Sequence, residues 1–137
     1  MNIPPKPSEL AKLWIEKAES DFKAVQSLLK GGEDCPYDVV CFHAQQCIEK
    51  YIKSRLVYLS IDFPKTHDIG DIIKLLPPGL IIPLSPADQE KLTNYAWMGR
   101  YPGSWEPINR QQAEEAAVLA VKVRTTIRSS FSRDVLK

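Results

Sequence analysis

The chain has 137 residues, of which 18 are lysine or arginine and 17 are aspartate or glutamate, so its formal net charge at neutral pH is +1. This length matches one ordinary domain, and the balanced charge excludes a global electrostatic field that would draw the protein onto nucleic acid or a membrane. The sequence contains neither a secretory signal nor a run of about 18 apolar residues that could span a bilayer, so we expect a cytoplasmic protein with no membrane partner.

The first half of the chain predicts two long helices. A proline-rich arm, residues 1–7, cannot form helix, and Ser8 is the expected cap of a first helix that ends at Gly31-Gly32. Apolar residues in this helix recur at steps of three and four, as on one face of an amphipathic helix. Asp34 or Cys35 caps a second helix, which has Pro36 in its first turn and runs to about Leu59.

The second half predicts three further helices. A short one opens at His67-Asp68 and runs through Leu76, and the apolar segment 80–84 is expected to be a packed loop because no second strand could pair with it. Ser85 and Pro86 begin a fourth helix that ends near Met98-Gly99. Asn109 caps the fifth. The prediction is an all-α fold, an up-and-down bundle of about five helices with a four-helix-bundle core, comprising a single domain at 8–131 and a tail at 132–137.

The three cysteines, Cys35, Cys41 and Cys47, are spaced six residues apart, so Cys41 and Cys47 point in different directions on a helix. They cannot converge on one metal ion, and we interpret them as structural thiols. The two histidines likewise have no third ligand at metal spacing, so we predict no bound metal and no cofactor.

Four polar residues of the second helix, His43, Gln46, Lys50 and Lys53, are separated by offsets that place them within about 80° of each other. Lysine amines suit phosphate, and an amide with an imidazole can hydrogen-bond a base or ribose. The sequence therefore predicts a ligand-binding ridge, although a solvated helix face fits the same pattern.

Three other residues each allow two interpretations. Arg55 falls in the apolar sector of the second helix, where it could contact tyrosine rings or be held by Asp68. At His67-Asp68, either side chain could cap the third helix, and His67 is a further candidate for ligand binding.

The segment 100–107 combines an arginine, two aromatic residues and two prolines just before a helix. Arg100 could clamp a phosphate while Tyr101 or Trp105 stacks on a base. Alternatively, Tyr101 and Trp105 anchor the loop to the bundle and Arg100 pairs with Glu106.

Taken together, three of these segments resemble the HEPN domain, a family named for higher eukaryotes and prokaryotes and for nucleotide binding. The resemblance depends on Phe42-His43-Ala44-Gln45-Gln46 followed by Ile48-Glu49-Lys50 and Lys53, on Lys65-Thr66-His67-Asp68-Ile69, and on Arg100-Tyr101-Pro102. It implies a helical bundle that forms a homodimer, a minimal nucleotidyltransferase as partner, and a toxin–antitoxin setting in a prokaryote.

Several relatives are RNA-cutting toxins that carry an arginine followed by four to six residues and a histidine. Here the corresponding positions after Arg100 are Trp105, Glu106 and Pro107, none of which has a side-chain pKa suited to proton transfer at neutral pH. The sequence therefore favours a non-catalytic protein that binds a nucleotide or another phosphate ligand, or RNA. The alternatives are a divergent metal-independent ribonuclease that uses Arg100, and a structural adaptor without a ligand.

Overall fold

The computed structural model describes residues 3–98 and 106–137, and the protein is helical with no strand in these two ranges. This confirms the predicted all-α fold. A single 3-10 turn, Gly32–Asp34, separates the first two helices. The helices are α1 (Pro7–Leu29), α2 (Tyr37–Tyr58), α3 (Ile69–Ile73), α4 (Pro86–Met98), α5 (Arg110–Ser129) and α6 (Arg133–Leu136).

The one-turn helix α6 lies in the segment that the sequence predicts as a tail, so the tail contains structure that the prediction missed. Its Val135 is buried, and α6 contacts α1. Four residues are too few for a periodic pattern to be recognised, which is why sequence reasoning does not find such an element. The segment 80–84 is a loop with Ile82 and Leu84 buried, as predicted.

The starts of α3, α4 and α5 follow the predicted caps, whereas the N-cap of α2 is Pro36 and not Asp34 or Cys35. The Asn109 side chain accepts a hydrogen bond from the backbone of Gln112 at 2.9 Å, and the Gln112 side chain accepts one from the backbone of Asn109 at 3.0 Å. Ser85 and Asp88 make the same reciprocal exchange at the start of α4. The prediction for α1 is wrong by two residues, because Lys6 and not Ser8 is its N-cap and Pro7 takes the first helical position.

At the centre of the bundle is α2, which contacts α1, α3, α4 and α5. Its apolar residues Val40, Ala44, Cys47, Ile48 and Tyr51 are all fully buried, as expected from the sequence. Along α5 the small residues Ala113, Ala116 and Ala120 are buried. The apolar sector of α2 is therefore largely covered within the protomer, although Val39 and Phe42 each remain 37% exposed.

The three cysteines are buried, consistent with the structural interpretation. Burial raises the pKa of the Cys41 thiol to about 12, and it raises the pKa of Cys47 as well. A thiol with such a pKa is not a nucleophile at neutral pH, because the thiolate is the reactive form.

Arg55 contacts aromatic rings, as the first of its two interpretations predicted. Its guanidinium carbon lies 5.1 Å from the centroid of the Tyr58 ring and 5.0 Å from that of Phe131. Asp68, the alternative partner, accepts a hydrogen bond from the backbone of Asp71 and caps α3. The side chain of Asp68 is thus the cap of α3. The side chain of His67 is not the cap and contacts Glu49 of α2 instead.

In the described ranges, no helix combines the length and the hydropathy that a bilayer crossing requires.

Candidate functional site

Two carboxylates organise the polar residues of α2. The first is Asp21 of α1, whose side chain is only 10% exposed because it lies on the buried face of that helix. Its Oδ1 is 2.8 Å from Nδ1 of His43, and its Oδ2 accepts a hydrogen bond from Nζ of Lys50 at 2.6 Å. We call these three residues the Asp21 cluster. The side chains of His43 and Lys50 are 31% and 25% exposed, so both reach solvent.

The second carboxylate is Glu49, at the buried centre of α2. Its Oε1 lies 2.9 Å from Nε2 of Gln45 and 2.9 Å from Nδ1 of His67, and its Oε2 accepts from Nζ of Lys53 at 3.1 Å. We call these four residues the Glu49 cluster. Lys53 also donates to the backbone oxygen of Thr66 at 3.2 Å, which ties α2 to the segment before α3.

Aromatic rings lie beside Lys53 and His67 of the Glu49 cluster. The amine of Lys53 lies 5.8 Å from the centroid of the Trp14 ring and 5.4 Å from that of Phe63, within the range of cation–π attraction. The imidazole of His67 meets Trp97 edge to face, with centroids 5.8 Å apart. Lys53 is therefore held on several sides at once, and its side chain is only 9% exposed.

The predicted ridge is divided by these contacts. His43, Gln46 and Lys50 are partly exposed, whereas Lys53 is buried and occupied by Glu49 and Thr66. The structure adds His67 to the same region, because Glu49 holds both His67 and Lys53. Arg100 and Tyr101, the remaining candidates, lie outside the described residues.

The carboxylates are what the sequence interpretation missed. Glu49 could have been found from its position four residues after Gln45 and four before Lys53, which places all three on one helix face. Asp21 was also detectable, since it interrupts the apolar face of α1 beside Phe22. A charge at such a position requires a partner, because an unpaired buried charge is costly.

Each carboxylate fixes one histidine in the same way. A carboxylate at Nδ1 sets the tautomer and orientation of an imidazole and leaves Nε2 for another partner. In the Asp21 cluster, Nε2 of His43 and the remaining N–H groups of Lys50 are available beside one another on α2. The cluster carries one negative and one positive charge while His43 is neutral, so binding of an anion there would depend on hydrogen bonds and local charge.

No group of three metal-ligating side chains occurs within residues 3–98 and 106–137.

The fold and these clusters define a class: an all-helical bundle in which carboxylates orient two histidines, His43 on the central helix and His67 just before α3. The sequence matches the model of the HEPN domain family over residues 11–130, and the chain belongs to that family.

Individual relatives support the assignment. The chain is 30% identical over 123 residues to the Methanocaldococcus jannaschii protein named "Putative toxin MJ1304", and the alignment covers 77% of this chain and 76% of that protein. The crystal structure of TT1696 from Thermus thermophilus is similar with a TM-score of 0.69 and 26% identity, covering 88% of this chain and 98% of the other. The structure of ST0689, an archaeal HEPN homologue, is similar with a TM-score of 0.65 and 25% identity, covering 88% and 96% of the two chains.

Proposed function

We propose that this HEPN protein binds a nucleotide, or another phosphate-bearing ligand, on the exposed side of α2, and that it works without catalysis as one member of a toxin–antitoxin-type pair with a minimal nucleotidyltransferase. The Asp21 cluster carries the proposal. It presents an imidazole and an amine side by side at the surface, and both are held in place by a carboxylate that is nearly buried.

In this proposal Lys50 contacts phosphate, and the imidazole of His43 and the amide of Gln46 hydrogen-bond the base or ribose. The Gln46 side chain is already oriented, because its Nε2 donates to Oε1 of Gln45 at 2.7 Å and leaves its carbonyl oxygen available. Lys50 contributes the positive charge, since the remaining N–H groups of an ammonium can donate after one is used by Asp21. His67 extends the surface, and Lys53 acts indirectly by holding Glu49 against His67.

The segment with Arg100 and Tyr101 belongs to the same proposal. An arginine that forks onto a phosphate and a tyrosine that stacks on a base would supply what the Asp21 cluster lacks, which is a net positive charge and an aromatic platform.

Calorimetric titration with ATP, and separately with AMP, tests the ligand. We expect heat from the unmodified protein, about tenfold weaker binding for Lys50→Gln and for Arg100→Ala, and unchanged binding for Lys91→Gln, a matched change of an exposed lysine on α4. Absence of heat from the unmodified protein would end the ligand proposal. If a second protein then co-purified without any nucleotide, the adaptor interpretation would replace it.

The partner and the homodimer are tested separately. The relative named as a toxin supports a toxin–antitoxin setting. Exposed Val39 and Phe42 on α2 leave an apolar surface on which a second copy could pack. We expect a dimer mass by light scattering at micromolar concentration, and a stable complex when the protein is co-expressed with the nucleotidyltransferase encoded by a neighbouring gene. A monomer mass, or two proteins that elute apart, would contradict the respective part.

A divergent ribonuclease is the second candidate, and one observation favours it. Nδ1 of His43 lies 2.8 Å from Oδ1 of Asp21, which orients the imidazole so that Nε2 could take a proton from a substrate. A general base has this arrangement. The ribonuclease would combine this imidazole with Arg100. Incubation with total RNA decides between the two candidates. Cleavage that both His43→Asn and Arg100→Ala abolish would establish catalysis, and intact RNA supports the non-catalytic proposal.

A further inference from the structure

A cavity of about 520 Å³ lies between α1, α5 and α6, and it contains none of the residues proposed above. Its walls come from two long helices, with the short α6 along one side. A volume of this size falls in the range of small-molecule sites. Five basic residues line it: Lys12 and Lys23 from α1, Arg124 and Arg128 from α5, and Lys137 after α6.

The acidic residues of the cavity, Glu16 and Glu19, are fewer than the basic ones. Glu19 is also occupied. Its Oε1 accepts from NH2 of Arg124 at 2.7 Å and from NH1 of Arg128 at 3.0 Å, and its Oε2 accepts from Nε of Arg124 at 3.1 Å, which completes a fork. Burial by itself would raise the pKa of Glu19, but hydrogen bonds from Arg124 and Tyr51 and the charges of both arginines outweigh it, so the pKa lies below its ordinary value.

The two arginines are pre-oriented by this carboxylate. Arg124 lies with its guanidinium carbon 4.7 Å from the centroid of the Phe22 ring, so an aromatic face fixes its plane while Glu19 fixes its rotation. Each arginine keeps one amino group that does not donate to Glu19: NH1 of Arg124 and NH2 of Arg128. Lys12 and Lys23 have no carboxylate within 4.0 Å in the part of the chain that the structure describes.

We infer that this cavity is a second anion-binding site, and that its ligand is a small polyphosphate chain. Two oriented guanidinium groups and the ammonium groups of flexible lysines line one hollow, a combination that matches several phosphate oxygens. A single carboxylate ligand would leave most of these donors unused. The site is separate from the Asp21 cluster, so it adds to the proposed function and does not depend on it.

The shape of the site favours a small ligand over an RNA strand. Strand-binding surfaces are grooves that follow a backbone over several nucleotides, whereas these cations line a single hollow that Val135 and Leu136 of α6 border. The same apolar residues could contact a nucleoside. The phosphate chain could therefore be inorganic polyphosphate or that of a nucleoside triphosphate.

The test is calorimetric titration of the full chain with inorganic tripolyphosphate, then with ATP. We expect the double variant Lys12→Gln/Lys23→Gln to bind tripolyphosphate about tenfold more weakly or worse, because two unpaired cations are lost. The matched control Lys74→Gln/Lys91→Gln changes two exposed lysines outside the cavity and should leave the affinity unchanged. Both ligands are compared in Lys50→Gln, which weakens the Asp21 cluster and leaves the cavity unchanged. ATP that binds this variant at least as tightly as tripolyphosphate identifies a nucleoside triphosphate, and weaker binding of ATP identifies the inorganic chain.

A second variant distinguishes this site from a merely structural ion cluster. Glu19→Gln removes the anion that now occupies both arginines, so tripolyphosphate should bind more tightly to this variant, provided that circular dichroism shows it folded. If Glu19 only tied α1 to α5, its removal would not improve binding.

Three results would overturn the inference: no binding of tripolyphosphate by the unmodified protein, full affinity in Lys12→Gln/Lys23→Gln, or binding of single-stranded RNA through these lysines without binding of tripolyphosphate. Loss of tripolyphosphate binding in Lys50→Gln alone would also overturn it, because the ligand would then belong to the Asp21 cluster. Conversely, failure of the Asp21 cluster to bind ATP would leave this site unaffected.

Discussion

Removing the Glu49 carboxylate should destabilise the protein more than any other single loss of an ion pair. The carboxylate is 5% exposed and is the only anion that pairs with Lys53 among the described residues. In Glu49→Met the ammonium of Lys53 would stay in a nearly buried position with one backbone oxygen and two aromatic rings as its remaining partners.

Breaking a buried pair by removing one partner costs about 3–5 kcal/mol, since it leaves an uncompensated charge. We expect about 3 kcal/mol here, because Thr66, Trp14 and Phe63 still stabilise the ammonium. For a domain of this length that corresponds to a fall in melting temperature of roughly 10 °C. The double change Glu49→Met/Lys53→Met removes both charges and should recover about 2 kcal/mol of the loss.

Urea denaturation followed by circular dichroism at 222 nm measures both variants. The control is Glu114→Gln, which breaks the Arg110–Glu114 pair on the outer surface of α5, where the two side chains are 65% and 54% exposed. Exposed pairs contribute about 0–1 kcal/mol, so this control should change little. The reasoning is refuted if Glu49→Met costs no more than Glu114→Gln, or if the double variant is less stable than Glu49→Met alone.

Three further predictions concern other parts of the bundle. Glu19→Gln should cost about 2 kcal/mol at pH 7, from the loss of charge-assisted hydrogen bonds to α5. Because the pKa of Glu19 in the folded protein is below the ordinary 4.5, this contribution is complete above pH 4.5 and disappears as the pH falls through the pKa of the folded protein. Denaturation curves of the unmodified protein and of Glu19→Gln should therefore converge in acid, and a difference that stays constant with pH would contradict this. Asn109→Ala removes the cap of α5 and should cost about 1 kcal/mol, with melting temperature as the measurement and Asn109→Ser as a variant expected to keep most of the stability. Cys41 should react with a thiol reagent at pH 8 only after denaturant is added, since its pKa is about 12, and rapid labelling of the native protein would show that the thiol is not buried.

Part of the candidate site could be predicted from the sequence, and the reason is local geometry. His43, Gln46 and Lys50 are on one helix, so their spacing fixes their relative direction whatever surrounds them. Burial is different, because it depends on what packs against the helix. Lys53 fits the same spacing, yet it is enclosed by Trp14 and Phe63, and no helical period could have shown that.

The sequence by itself determined the first five helices, the caps of three of them and the family. These features depend on apolar periodicity, on capping residues and on short motifs, each of which acts within a few residues. Only the tertiary structure decided which charges meet. Asp21 reaches His43 across 22 residues and Glu19 reaches Arg124 across 105, because α1 packs beside α2 and α5. Such pairs follow from the positions of whole helices, which many contacts together establish, so no local pattern encodes them.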